Sequence, residues 1–363
     1  MLPIGNMRFV CLLLLSFPLA WGQEHLGTWR SVADRLIRTP PESYPFNWGE
    51  GVQQIGLMKI AERTQTAAYV DYMERWAQLY TARELNGLLD IKTPARTNRP
   101  GYCGYWSPAT AILYLDKVRP RPEYRSLVDG TAQFIRNKAE RSPEGALGHW
   151  LGSHQLWVDT LYMACPLLAG LGSASDIDDA ARQIIVYAEH LQDRKTGLFF
   201  HMWDWQTGER SPSLWGRGNG WVLMSIADTM EAMRPGGAHY RKLSEIARRM
   251  AKGLAATQDR DGMWHTVLDD AASYPEASAT SMFTYGLLKL ARLKVLSAKD
   301  VKPVARRAWA AVNSKYVVDG QVTGVSAGTD PGGNDNYKRI RLGSQTWGTG
   351  AYLMAGSEVD RLR

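Results

Sequence analysis

Apolar residues recur every three or four positions along most of the chain, which is the spacing of one buried helix face. Ile55 and Met58 show this spacing in the first such segment, and Val70, Met73 and Ala77 show it in the second. Strand-like alternation of apolar and polar residues is scarce. The pattern predicts helices over the residues 51–62, 66–80, 109–118, 122–140, 158–171, 177–191, 220–233, 240–256, 277–296, 301–316 and 346–359.

Residues with strong helix-end preferences mark several boundaries of these helices. Ser107 and Pro108 are typical of an N-cap followed by proline at the first helical position. Ser175 and Asp176 should cap the helix predicted over 177–191, which has acids in its first turn. Pro166 should kink or break the helix that contains it, because proline lacks an N–H and its ring clashes with the preceding turn.

The loops between the helices contain an internal repeat. The residues 191–204 align with the residues 257–269, since each segment has Gln-Asp-Arg near its start, then a glycine, then a histidine, with one residue deleted in the second. A looser copy occupies 144–150, and a weaker copy without the histidine surrounds Gly320. Each interval between copies holds two predicted helices. The repeating unit is therefore a helical hairpin, which cannot bury its apolar face alone.

At the spacing of these copies, about six such hairpins fit into the chain. Repeats of this kind stack on one another to bury their apolar faces. They can close into a ring with an inner and an outer layer of helices, or they can form an open superhelix. The glycine–aromatic–histidine loops favour the ring, because a ring gathers equivalent loops at one mouth, where function concentrates. We therefore predict an all-α barrel of six helical hairpins.

The N-terminus has the composition of a secretory signal peptide over the residues 1–22. Arg8 supplies a basic start, an apolar run extends from Phe9 to Leu19, and Ala20-Trp21-Gly22 has the small-x-small pattern of a cleavage site. The run is shorter than the roughly 20 residues of a membrane-spanning helix. We predict a protein exported to the periplasm or outside the cell, with no membrane span and one catalytic domain over 23–363. Cys103 and Cys165 then remain as ordinary small core residues.

The chain is basic, with a net charge of +7 at pH 7, and it contains 14 Trp and 16 Tyr. The charge fits either an anionic ligand or a solvated surface. Long Lys/Arg blocks are absent from the sequence, which argues against nucleic acid as a partner. Many of the aromatic residues stand beside Gly, His or Asp in predicted loops. That placement indicates a lined pocket for a ligand.

Asp159 is the strongest candidate for a catalytic residue. It lies at the entry to an apolar helix, and its neighbours in sequence are Trp157, Leu161, Tyr162 and Met163. An acid at this position is often only a helix cap. Apolar surroundings, however, should raise the pKa of its carboxyl group by desolvation, as a general acid requires.

Arg217 stands between Trp215 and Trp221 in a stretch with three alternating glycines. We interpret this stretch as a loop in which the glycines permit the close approach of a ligand. The arginine could hold a carboxylate through two hydrogen bonds, while the tryptophans stack on sugar faces. Alternatively, the arginine meets a structural acid in a glycine-rich turn.

His149, His201 and His265 recur at corresponding places in the repeated loops. Each lies in a different repeat, and the sequence has no HxH or HExxH pair, so we predict no metal site. The histidines should bond substrate hydroxyls or hold the loops. Phosphate-binding, dinucleotide-binding and serine-hydrolase motifs are also missing from the sequence, and we predict no cofactor.

Taken together, the residues 157–163, 200–204 and 215–221 resemble the signature stretches of glycoside hydrolase family 105, the unsaturated rhamnogalacturonyl or uronyl hydrolases. The resemblance extends from about Trp48 to the C-terminus. It implies an (α/α)6 barrel and an acidic oligosaccharide substrate. It also implies removal of a 4,5-unsaturated uronic acid from the non-reducing end of lyase-generated oligosaccharides, by hydration of the C4=C5 double bond.

By the same resemblance, Asp159 is the catalytic acid. The expected substrate contacts, to which we add the recurring His149 and His265, are Trp157, His201, Trp215, Arg217 and Trp221. One departure stands out, because the family commonly has a second aspartate before an earlier inner helix and the residues 101–108 contain no acid. Asp90 and Asp116 flank that stretch, and Ser107 could fill only part of the role. Another (α/α)6 glycan hydrolase or lyase, or a non-catalytic glycan-binding barrel, are the alternative interpretations.

Overall fold

A closed ring of six helices forms the centre of the computed structural model, which describes the residues 27–91 and 98–362. Each inner helix contacts the next one along the chain, and the last contacts the first. This closure rules out the open superhelix. The inner helices are α2 (Trp48–Thr64), α5 (Ser107–Val118), α7 (Asp159–Leu171), α9 (Gly216–Ala232), α11 (Ala277–Arg292) and α14 (Thr346–Asp360).

A second layer of helices packs around the ring, one on each inner helix. The outer helices are α3 (Ala67–Thr81), α6 (Pro122–Asn137), α8 (Ala174–Leu191), α10 (Ala238–Thr257), α12 (Ala298–Tyr316) and α1 (Thr28–Leu36). The sixth hairpin joins the two ends of the described chain, because α1 packs on α14. The predicted all-α (α/α)6 barrel is confirmed, although the short helix α1 was not predicted.

Short elements decorate the loops of the barrel. Among the described residues, two are helices, α4 (Leu85–Leu88) and α13 (Asn334–Lys338), and two are single 3-10 turns at Pro41–Ser43 and Cys103–Tyr105. The strands in this part of the chain form three antiparallel pairs, which are β1 (Gln155–Trp157) with β2 (Met202–Asp204), β3 (Val317–Val318) with β4 (Gln321–Val322), and β5 (Val325–Ser326) with β6 (Leu342–Gly343).

Glycines allow the ring to close. A Cβ atom on Gly56 of α2 would overlap the backbone of Gly350 in α14, and a Cβ atom on Gly350 would overlap the carbonyl of Val52. The two helix backbones therefore approach one another more closely than side chains would permit.

The repeated glycines serve the packing of successive hairpins. Gly197 and Gly262 both have positive φ angles, and a Cβ atom on either would overlap backbone atoms of the next outer helix, at Arg249 and Arg307 respectively. A Cβ atom on Gly320 would likewise overlap the backbone of Ser31 in α1. The contact thus recurs in the copies around Gly197, Gly262 and Gly320, the last of them on α1. The looser copy lacks it, because a Cβ atom on Gly145 would meet only the Arg182 side chain at 3.6 Å.

Several predicted helix boundaries are wrong. The predicted break at Pro166 is wrong, since helix α7 continues through it, whereas a kink there stays a prediction. Packing within the inner ring outweighs the loss of one backbone hydrogen bond. The cap of α8 is Ser173 rather than Ser175, since the Ser173 hydroxyl accepts a hydrogen bond from the Asp176 amide at 3.1 Å. Ser107 is the first residue of α5 rather than its cap, although Pro108 does stand in the first turn.

The predicted signal peptide lies outside the described residues. Over residues 27–91 and 98–362, the helices lack the combination of length and apolar character needed to cross a membrane. Cys103 and Cys165 are both buried and carry free thiols.

Candidate active site

The N-terminal ends of the inner helices and the loops that precede them surround a cavity of about 470 Å³. Asp159, the first residue of α7, lies in it with 21 % of its side chain exposed. The lining residues come from five different loops and helix ends. They are Pro45, Asn47, Trp48, Arg99, Tyr102, Tyr105, His149, Trp157, Asp159, Met163, Trp215, Arg217, Gly328, Thr329 and Asp330.

The β1–β2 pair places Asp159 beside His201. Trp157 pairs with Met202, and the amide of Val158 donates to the carbonyl of His201 at 3.0 Å. This register brings the two side chains together, so that Nε2 of His201 lies 3.0 Å from Oδ2 of Asp159. His201 itself is fully buried.

A hydrogen-bond chain behind His201 favours one position of the imidazole proton. The amide of Gly332 donates to Oη of Tyr337 at 3.2 Å, and that hydroxyl lies 2.9 Å from Nδ1 of His201. The phenol proton is thus available to Nδ1, which leaves the imidazole proton on Nε2, facing Asp159. Asp159 therefore accepts a hydrogen bond through Oδ2.

The pKa of Asp159 lies below its ordinary value, against our prediction. Burial raises this pKa, as expected from the apolar sequence around it. However, the hydrogen bond from His201 lowers the pKa most, Arg217 lowers it by less, and the neighbouring groups together outweigh burial. The carboxyl group is therefore ionised in the free protein at neutral pH.

One wall of the cavity is a stack of aromatic rings. His149 lies parallel to Trp157, with ring centroids 4.2 Å apart, and the indole of Trp150 meets Trp157 edge-on at 5.6 Å. Nδ1 of His149 is 2.8 Å from the hydroxyl of Thr160, and burial lowers the pKa of His149 to about 3. His149 is therefore a neutral ring that supports Trp157, which is a suitable platform for a sugar face.

Arg217 lies in the first turn of α9 rather than on a loop, so our interpretation of the glycine-rich stretch as a loop is wrong. The helix begins at Gly216, where a Cβ atom would overlap the carbonyl of His265. A Cβ atom on Gly218 would overlap Trp215 and Val158. The glycines make room for neighbouring protein atoms and not for a ligand.

The guanidinium of Arg217 holds the loop that follows β5. Its two amino groups donate to the Ser326 carbonyl and the Ala327 carbonyl at 2.8 Å, and to the Thr329 hydroxyl at 2.9 Å. The buried carboxylate of Glu276 lies 3.9 Å away and also accepts from the Ser326 amide. Arg217 lines the cavity with a small part of its surface, and substrate binding by it stays a prediction.

Of the remaining predicted substrate contacts, one lines the cavity and two do not. Trp215 lines the cavity and packs against His201, with ring centroids 4.2 Å apart. Trp221 lies fully buried inside the ring and stacks on Tyr162 at 5.3 Å. His265 is not among the residues that line the cavity, and its Nε2 lies 3.2 Å from the carboxylate of Asp259. The structure thus does not bring Trp221 and His265 to the cavity wall.

The flanking acids do not replace the missing aspartate. Neither Asp90 nor Asp116 is among the residues that line the cavity, and Asp116 pairs with Arg125 at 2.7 Å near the opposite end of α5. The second acid among the cavity-lining residues is Asp330, which was not among the predicted site residues. The sequence feature that could have indicated Asp330 as a site residue is its position in a long glycine-containing stretch before α14.

Within the part of the chain that the structure describes, His, Cys, Asp and Glu side chains form no group of three or more that could hold a metal ion.

These features define a carbohydrate-active (α/α)6 barrel with one carboxylate at the floor of an aromatic cavity. The chain matches the model of Glycosyl Hydrolase Family 88 over the residues 29–363 and belongs to that family. It is therefore a glycoside hydrolase.

Several proteins are similar to the chain over most of its length. It is 28% identical to the unsaturated rhamnogalacturonyl hydrolase YesR of Bacillus subtilis, covering 91% of this chain and 94% of that protein. The structure of a possible member of glycoside hydrolase family 105 from Klebsiella pneumoniae is 26% identical with a TM-score of 0.83, covering 99% and 96% of the two chains. These matches confirm the predicted resemblance.

A more distant structure supports the fold alone. The unsaturated glucuronyl hydrolase from Bacillus sp. GL1 is 17% identical with a TM-score of 0.71, and the match covers 94% of this chain and 97% of that one.

Proposed function

We propose that the protein removes a 4,5-unsaturated uronic acid from the non-reducing end of oligosaccharides that a polysaccharide lyase has produced. The observation that carries this proposal is Asp159, bonded through Oδ2 to His201 at the floor of a cavity walled by aromatic rings. The cavity volume of about 470 Å³ suits a small glycan. The name of the similar protein from Bacillus subtilis, an unsaturated rhamnogalacturonyl hydrolase, favours the same substrate class.

In the proposed reaction, Asp159 donates a proton to C4 of the enol ether, and positive charge develops at C5 and the ring oxygen. Water then adds at C5 and gives a proton back to the Asp159 carboxylate. The product is a hemiketal, which opens and releases the remaining sugar as its alcohol. One carboxylate serves both steps, unlike the pair of carboxylates that flanks the anomeric carbon in most glycosidases.

The low pKa of Asp159 places a condition on this mechanism. The free protein holds the carboxyl group ionised, whereas the first step needs it protonated. A substrate carboxylate bound nearby raises the pKa of Asp159, because two like charges disfavour each other. Substrate binding should therefore be coupled to the uptake of a proton.

The decisive experiment follows the ultraviolet absorbance of the C4=C5 double bond in unsaturated disaccharides of pectic and glycosaminoglycan type. The wild-type protein should abolish the absorbance of at least one of them, and Asp159→Asn should not, although it keeps the fold. A lyase would create absorbance from intact polymer, and a saturated-glycan hydrolase would release reducing sugar from it. Binding in calorimetry without turnover of any substrate would indicate a glycan-binding barrel.

We also propose that the protein acts outside the cytoplasm, with the residues 1–22 removed as a signal peptide. N-terminal sequencing of the protein recovered from its native host should begin at Gln23. Recovery of full-length chain from the cytoplasm would contradict this proposal.

A further inference from the structure

Arg99 lies at the wall of the cavity, where its guanidinium covers two indole rings. The central carbon of the guanidinium is 4.7 Å from the ring centre of Trp150 and 5.5 Å from that of Trp157. About a third of the side chain is exposed, at 34%. Stacking on two rigid rings orients the planar fork of an arginine before any ligand arrives.

A carboxylate from a different lining loop of the cavity pairs with Arg99. The distance from its amino group to Oδ1 of Asp330 is 3.2 Å, and the Asp330 side chain is 71% exposed. This ion pair joins the loop before α5 to the loop that Arg217 holds. Exposed pairs of this kind contribute little, because water and salt screen them and the side chains lose freedom. A better-placed anion can therefore displace Asp330.

The two arginines of the cavity differ in their readiness to bind an anion. Arg217 is 1% exposed, its amino groups bond to loop atoms, and its charge faces the buried Glu276. Arg99 is more exposed and its counter-ion lies at the surface. A substrate carboxylate that enters beside the ionised Asp159 needs a neighbouring cation, since like charges would otherwise repel it.

We propose that Arg99 binds the carboxylate of the unsaturated uronic acid and that Asp330 holds the arginine in place until the substrate displaces it. Arg99 is thus a specificity-determining residue, which selects the charged uronate over a neutral ester. This inference rests on the proposed function. The neutral ester cannot displace Asp330, because it offers the guanidinium no charge in exchange.

The test compares one unsaturated disaccharide as its free acid and as its methyl ester, with wild-type protein, Arg99→Gln and Arg99→Lys. For the acid, Arg99→Gln should lower kcat/KM by about tenfold or more, the typical effect of removing a charged partner. For the ester, the same variant should change kcat/KM by less than about threefold. For the acid, Arg99→Lys should have a kcat/KM between those of the wild-type protein and Arg99→Gln. Lysine keeps the positive charge but loses the planar fork of the guanidinium.

A matched control is Arg210→Gln. The Arg210 guanidinium also stacks on an aromatic ring, that of Phe200 at 3.9 Å, but Arg210 is not among the residues that line the cavity. Arg210→Gln should leave kcat/KM unchanged for both the acid and the ester. Asp330→Asn should lower KM for the acid about two- to fourfold, since it removes the competing anion, and should leave the ester unchanged.

The results separate this inference from the proposed function. Wild-type protein that consumes neither substrate would contradict the proposed function itself. Wild-type protein that is active, combined with an equal loss on acid and ester in Arg99→Gln, would overturn the assignment of Arg99 to the carboxylate. A higher KM for both substrates in Asp330→Asn would overturn the displaceable role of Asp330.

Discussion

Oη of Tyr337 lies 2.9 Å from Nδ1 of His201, although 136 positions separate the two residues in the sequence. His201 in turn bonds to Asp159 at 3.0 Å. Tyr337 belongs to α13, in the long excursion between β5 and β6. The segment between β5 and β6 therefore reaches Asp159, the proposed catalytic acid, through one histidine.

Tyr337→Phe should lower kcat by about three- to tenfold, because it removes the group that keeps the imidazole proton on Nε2. It should also change the pH profile, since His201 becomes free to take either tautomer. Steady-state kinetics over a pH series would measure both effects. Tyr72→Phe is a suitable control, because it removes another buried phenol, bonded to the Thr39 carbonyl at 2.8 Å on the outer layer. Equal effects in the two variants would show that Tyr337 has only a structural role.

The pH dependence of the wild-type protein follows from the lowered pKa of Asp159. The reacting form needs a protonated carboxyl group, so kcat/KM should fall as pH rises above the pKa of the free protein, approaching about tenfold per pH unit. The corresponding limb of kcat should lie at higher pH, because the bound uronate raises the pKa of Asp159. Identical positions of the two limbs would argue against proton uptake on binding.

His201→Leu tests the cause of the lowered pKa. The hydrogen bond from His201 lowers the pKa of Asp159, so its removal should raise that pKa and move the kcat/KM limb toward higher pH. The absolute rate should fall at the same time, because the carboxylate loses its orienting partner. His265→Leu is the matched control, since His265 occupies the corresponding place in the next repeat and bonds Asp259 instead. A limb that stays in place would show that the His201 bond does not determine the pKa.

Arg217→Met should destabilise the fold by about 3–5 kcal/mol, because it leaves Glu276 as a buried charge without its partner. The variant should also lose activity as the loop over 326–329 is released. Denaturant unfolding would give the change in the free energy of unfolding. Adding Glu276→Gln to Arg217→Met should recover part of the stability but not the activity. If the two substitutions were simply additive, the two side chains would not be coupled.

Gly350→Ala should destabilise the barrel by about 1–3 kcal/mol, the usual cost of forcing an extra carbon into a packed interior. The added Cβ would overlap the backbone of Val52 where α14 closes the ring on α2. Gly87→Ala in α4 is the control, since a Cβ there meets nothing within 4 Å. Thermal unfolding of both variants would measure the difference, and equal melting temperatures would contradict the close approach of the two helices.

The local sequence pattern was enough to predict most helices of the barrel, because a buried face repeats every three to four residues whatever the fold around it. The repeated glycines of the loops also predicted the hairpin unit, since Gly197 and Gly262 repeat one packing contact. The pattern failed where distant packing overrides local preference. Pro166 remains inside α7 because neighbouring helices enclose it, and α1 is a short helix that only its contact with α14 makes part of the ring.

By itself, the sequence determined the all-α class, the hairpin repeat and the candidate carboxylate at Asp159, since each of these depends on residues close together in the chain. Only the tertiary structure decided the charge state of that carboxylate, because burial and the His201 bond act in opposite directions and their balance depends on distances. It also decided the pairing of Arg99 with Asp330, which stand 231 positions apart. Such contacts leave no periodic signal, since they are made only when the ring closes.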